Sequence, residues 1–140
     1  MATAEQKSDI ILIDALPKSG DIAIFIEGSQ VAVATTADTV YTAKIGDVDI
    51  SQLRQLMECP TTVKLCFDVK NLKYILQELD IEICGEVFDV QLAHYLIDAE
   101  VRHRMDFICN AMLGYEPGDA ATEAAALWEL YPLLSAQIQV

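Results

Sequence analysis

Residues 63–98 constrain the fold more than any other stretch. A short apolar run over 63–67 leads into Asp68, a residue type that caps helix N-termini. Val69, Leu72, Ile75, Leu76 and Leu79 then recur at helical spacing. A second short run over 85–88 follows, and Phe88-Asp89 opens a second helix over 90–97. Strand, cap, helix, strand, cap, helix is the pattern of an α/β layer with a parallel component, because a parallel strand pair needs a crossover helix.

The residues ahead of this unit read as strands. The apolar run 10–13 is an edge strand, ended by a turn with Pro17, Ser19 and Gly20. Residues 22–27, 30–35 and 39–43 are rich in β-branched and apolar side chains, with Gly28-Ser29 and Ala37-Asp38 as the turns between them. They predict a three-stranded antiparallel meander. Asp49 and Gln52 stand three apart as a capping box, Leu53, Leu56 and Met57 give that helix its buried face, and Pro60 ends it. Beyond residue 97, helices are predicted over about 104–113 and 120–137, separated by Gly114 and Pro117.

The chain has 140 residues, 53% hydrophobic and 22% charged, which suits one domain with a real core. No apolar run approaches the ~20 residues that a membrane span needs, so no membrane partner is expected. Residues 1–8 read as a flexible lead-in without a signal peptide. Cys59, Cys66, Cys84 and Cys109 are scattered, so reduced core thiols in a cytoplasmic protein are expected rather than a zinc site. Twenty-two acidic residues against nine basic ones leave a net charge of −13, which argues against autonomous nucleic-acid binding. Metal ions on acidic ligands would still allow weak binding of a strand end.

Several segments carry a family resemblance. These are Asp80-Ile81-Glu82-Ile83-Cys84-Gly85-Glu86-Val87-Phe88-Asp89, then Leu92-Ala93-His94-Tyr95-Leu96-Ile97-Asp98. Met105-Asp106, Leu113-Gly114-Tyr115-Glu116 and the helical Ala124-Ala125-Ala126-Leu127-Trp128-Glu129-Leu130 continue it. In order and spacing they resemble the 3′–5′ proofreading exonuclease domain of bacterial family A DNA polymerases (DNA polymerase I), from about residue 22 onward. The resemblance implies an α/β, ribonuclease H-like (DnaQ-like exonuclease) three-layer fold, with a five-stranded mixed sheet flanked by helices. It also implies that residues 1–140 are one exonuclease-like domain of a larger polymerase.

Exonucleases of that family hydrolyse a phosphodiester with two divalent metal ions held by four carboxylates, helped by a tyrosine. The resemblance puts the family's first-strand D-x-E on Phe25, Ile26 and Glu27, so Glu27 remains and phenylalanine replaces the bridging Asp. The ungapped register puts Asp68 where the family has Asn and Leu72 at the next catalytic Asp. A rival register through Asn71-Leu72-Lys73-Tyr74 puts Ile75 there. The third motif, Tyr-x-x-x-Asp, has a literal match in Tyr115 and Asp119, but Pro117 and Gly118 between them prevent a shared helical face. Asp119 reads more simply as a helix N-cap.

Other chemistries find less support. His94 faces either core or solvent, and neither it nor His103 has a nucleophile or partner arrangement. Trp128 belongs to a core or a domain interface rather than a base-stacking platform.

Three functions follow. The first is a degenerate exonuclease-like domain with no catalytic, metal or cofactor residues, in which Glu27 and Asp119 are vestiges and Phe25 and Leu72 are lost-ligand positions. Its partners would be the polymerase domain and upstream region of the parent chain, with DNA reached through the parent in replication and repair. The second is an active exonuclease that uses Mg2+ or Mn2+ on substitute ligands such as Glu27, Asp68 and Asp119. The third is a free-standing protein-interaction domain of the same fold.

Overall fold

The computed structural model describes residues 10–13, 15–17, 20–47, 49–97, 105–115, 117 and 119–138. The lead-in expected over 1–8, together with Asp98, His103 and Glu116, lies outside the described residues. Among the described residues the chain forms β1 (Ile11–Ile13), β2 (Ile22–Glu27), β3 (Gln30–Ala34), β4 (Thr39–Lys44), α1 (Ile50–Met57) and β5 (Val63–Cys66). It continues through α2 (Val69–Glu78), β6 (Glu86–Asp89), α3 (Val90–Ile97), α4 (Met105–Leu113) and α5 (Ala120–Ile138).

The meander forms as its turn residues dictate. Gly28, at φ +62°, turns β2 into the antiparallel β3, with Glu27 opposite Gln30. β3 then pairs antiparallel with β4. β5 joins β2 in parallel, and β6 joins β5 in parallel. The order is β1-β4-β3-β2-β5-β6. This sheet has one strand more than the five expected. The sixth is the edge strand read over 10–13, which runs parallel to β4 with Ile11 beside Thr39. Its pairing covers the outer edge of β4 at Thr39, Val40 and Tyr41, shortening the exposed edge of the sheet.

Both faces of the sheet are covered, which gives the three layers. Alternation along β3 sends Val31 and Val33 to one side and Ala32 and Ala34 to the other. The valine side packs on Leu53, Leu56 and Met57 of α1 and on Leu72 and Leu76 of α2. The alanine side packs on α3, α4 and α5. Ala23, Ala32 and Ala34 of the sheet share this core with Ala124 and Ala125 of α5, small side chains that let helix and sheet approach closely there. Trp128 uses that proximity: its indole N–H donates to the carbonyl of Ala34 at 2.6 Å. Tyr131 meets the rings of Phe88 and Trp128 edge to face, at centroid distances of 4.8 and 6.3 Å. Trp128 is therefore half-buried core. Leu127, Leu130 and Leu134 are fully buried beneath the same helix, and truncating one to alanine removes about 2–5 kcal/mol.

Two local features differ from the sequence pattern. Asp49 caps α1 by accepting the Ser51 amide at 3.0 Å, but Gln52 does not close a capping box. Its amide instead donates to the carbonyls of Leu16 and Pro17 at 3.0 and 3.3 Å and pins the segment after β1 onto α1. α5 runs through Pro132 without ending, although proline has no N–H to return to the preceding turn.

Candidate functional site

The carboxyl ends of β2 and β5 and the first turns of α2 enclose a cavity of 210 Å³. Phe25, Phe67, Asp68, Asn71, Leu72 and Ile75 are among its lining residues. Leu72 and Ile75 both reach it because they lie three apart on α2, so either register delivers an aliphatic side chain to the same space. Leu72 is buried in the valine-side core, whereas Phe25 is half-buried against the alanine-side core. They meet because the cavity wraps around the carboxyl end of β5, beside which β2 continues.

The other site residues predicted from sequence are not among the residues lining this cavity. Glu27 stands exposed at the end of β2, next to the turn at Gly28. Asp119 starts α5: its carboxylate accepts the Thr122 amide at 2.8 Å and the Thr122 hydroxyl at 2.6 Å. Tyr115 precedes the helix and is buried, and its hydroxyl donates to Glu129 at 2.7 Å. Burial, helped by the hydrogen bond to Glu129 and that carboxylate's charge, pushes the Tyr115 phenol far above its ordinary value. Among the described residues, no three His, Cys, Asp or Glu side chains gather closely enough to hold a metal ion.

Asp68 sits where β5 becomes α2, at φ +66°, a left-handed conformation that Asp tolerates better than most residues. Its side chain accepts the Asn71 amide at 3.3 Å. Its own amide donates to Asp89 at 2.8 Å, and the Val69 amide donates to the other Asp89 oxygen at 2.9 Å. Asp89 also accepts the Gln91 amide at 3.0 Å. One carboxylate thus satisfies the starts of two helices, where amide donors and the helix dipole favour negative charge.

Sequence reasoning passed over Lys64. It lies inside β5 and is fully buried. Its ammonium donates to the carbonyls of Cys59, Thr62 (3.2 Å) and Cys84 (2.6 Å). Burial lowers its proton affinity, while Cys59, Cys84 and Asp21 pull the other way. A lysine in an otherwise apolar run was the available signal. The room comes from Gly85, at φ +82°, where an added Cβ would stand 3.1 Å from the Lys64 Nζ. All four cysteines are free thiols. His94 is buried on the inner side of α3, which decides the alternative that the sequence left open.

A mixed sheet in this order, with helices on both faces, defines a ribonuclease H-like three-layer fold. The chain belongs to the family described as DNA polymerase I, ribonuclease H-like domain, whose profile matches residues 26–115. It is thus a DNA polymerase I 3′–5′ exonuclease-like domain. Solved structures share the fold. The polymerase domain of Pol1 from M. smegmatis, in complex with DNA primer-template and dNTP, superposes with a TM-score of 0.73 at 17% identity, over 84% of this chain and 23% of that one. Brucella melitensis NrnC bound to pGG gives 0.78 at 16%, over 93% and 82%. Escherichia coli RNase D, an exoribonuclease involved in structured RNA processing, gives 0.64 at 11%, over 94% and 44%. The chain therefore spans about a quarter of the Pol1 chain it resembles. Comparison with curated proteins found no match.

Proposed function

We propose that this chain is an exonuclease-like domain that has lost its two-metal site and serves a structural role within a DNA polymerase of the DNA polymerase I type. One observation carries the reading: Phe25 and Leu72 line the same cavity, and among the described residues Asp68 is its one acidic lining residue. Mg2+ and Mn2+ need several oxygen ligands at ~2 Å, and phenyl, isobutyl and sec-butyl groups supply none. The residues present do not fit a two-metal centre. Glu27 lies in solvent and Asp119 is engaged as a helix cap, so neither supplies the missing oxygens.

In this reading residues 1–140 are one domain whose partners are the polymerase domain and upstream region of its parent chain. It meets DNA only through that parent, in replication and repair in the cytoplasm, and needs no cofactor of its own. The surplus of acidic residues supports this, since polyanion binding requires phosphate neutralisation by Lys and Arg.

The test is incubation of the protein with 5′-labelled single-stranded DNA and Mg2+ or Mn2+. The strand is expected to keep its length. Shortening from the 3′ end that disappears in Glu27→Ala would establish an active exonuclease instead. A parent gene without a polymerase region would favour a free-standing interaction domain.

A further inference from the structure

α3 carries apolar side chains on two sides, and among the described residues only one of those sides is covered. Val90 and Ala93 are buried against the sheet and α5. On the opposite side Leu92, Tyr95 and Leu96 are 54%, 51% and 65% exposed. Their spacing places them on one helical face. A helix that is hydrophobic all round is normally covered all round.

The same face borders a crevice of 310 Å³ between the first turns of α2 and α3. β5 and β6 are neighbouring parallel strands here, and their connections leave toward opposite faces of the sheet. A crevice at such a divergence, outside the carboxyl ends of the strands, is where open α/β sheets receive ligands. Val69, Leu92 and Tyr95 give it an apolar wall, and Asp68, Asp89 and Lys70 stand around it. It adjoins the cavity at Phe25 and Leu72 and shares Asp68 with it, but that cavity opens between β2 and α2.

Charge selects the occupant. Among the described residues, two carboxylates against one ammonium line the crevice, and the whole chain carries −13. Coulomb repulsion therefore opposes a second copy of the chain, a nucleic acid or an anionic membrane surface. Both Asp89 oxygens are engaged by backbone amides, whereas Asp68 uses one oxygen for the Asn71 amide, which makes Asp68 the carboxylate for an incoming cation. We propose that this surface docks a basic amphipathic helix. A leucine-like side chain of the partner enters between Val69, Leu92 and Tyr95, a neighbouring apolar residue covers Leu96, and a Lys or Arg of the partner reaches Asp68. The inference rests on the surface and its charge and does not depend on the loss of nuclease chemistry.

The probe is a fluorescein-labelled peptide of about 14 residues, with leucine and lysine at helical spacing. Its anisotropy is followed against the 140-residue protein. Leu92→Ser and Leu96→Ser are each expected to weaken binding by about tenfold while circular dichroism and the unfolding midpoint stay as in the parent. Asp68→Asn, which keeps a cap-forming side chain, is expected to flatten the salt dependence. Leu133→Ser, a similar exposed leucine on α5, is the control expected to bind as the parent does. Equal affinity for the parent and the α3 variants, or for a scrambled peptide of the same composition, would mean generic charge attraction and overturn the proposal. Self-association in sedimentation that Leu96→Ser abolishes would overturn it in favour of a second copy.

Discussion

The Asp89 carboxylate, at the end of β6, accepts the backbone amide of Asp68, at the start of α2, across 2.8 Å. This bond and its companions from Val69 and Gln91 lock together two strand-to-helix junctions 21 residues apart in sequence. Asp89→Ala leaves those amides without their acceptor. It is expected to lower the unfolding free energy by about 2–3 kcal/mol, because hydrogen bonds to a charged group exceed neutral ones. Asp89→Asn keeps one acceptor oxygen and should fall between. Urea titration of the three proteins checks the order, and an Asp89→Ala protein as stable as the parent would refute the bracket.

Gly85 and Gly28 both adopt positive φ, but only one is crowded. A Cβ on Gly85 would lie 2.7 Å from the Thr62 carbonyl oxygen and 2.9 Å from that of Cys59, while one on Gly28 meets nothing within 4 Å. Gly28→Ala is expected to cost about 1 kcal/mol, the left-handed penalty alone. Gly85→Ala adds a backbone clash beside the carbonyls that hold Lys64, and should cost about 3 kcal/mol or more. Thermal midpoints of the two variants give the comparison directly.

Trp128 joins α5 to the sheet in two ways that can be separated. Trp128→Phe keeps an aromatic ring but loses the N–H to Ala34, and leaves that carbonyl without this partner. About 1–2 kcal/mol is expected. Trp128→Ala also removes the ring, for about 3–5 kcal/mol. Similar losses for both variants would show that the hydrogen bond, not packing, dominates.

Cys59 should be the reactive thiol. Hydrogen bonds from the side chain and backbone of Thr61 lower it from an ordinary 9.0 to about 7. Cys66 is pushed the opposite way, by burial first and by Asp89 and Asp68 after it. Iodoacetamide labelling of the native protein is expected at Cys59 with a midpoint near pH 7. Thr61→Val should move that midpoint upward. Between pH 7 and 9 the unfolded chain holds the Cys59 proton that the native protein has released. This group's contribution to stability therefore rises with pH in that window and is lost as pH falls through about 7.

The sequence alone determined the order of elements. Period-two and helical-period hydrophobicity, with Asp49 and Asp68 as caps and Gly28 as a turn, are local signals, so they placed the strands and helices within a residue or two. They also marked Phe25 and Leu72 as apolar where metal-binding exonucleases need carboxylates. Only the tertiary structure decided what those positions share. Phe25 and Leu72 are 47 residues apart and belong to opposite cores, yet they line one cavity because β2 pairs with β5 and runs on past the point where β5 gives way to α2. It also decided that Gln52 leaves its helix cap for the carbonyls of Leu16 and Pro17, that Lys64 is buried among carbonyls, and that Leu92, Tyr95 and Leu96 of α3 stand exposed. Each depends on backbone groups brought together from distant segments, and side-chain periodicity carries no record of where another segment's carbonyls will lie.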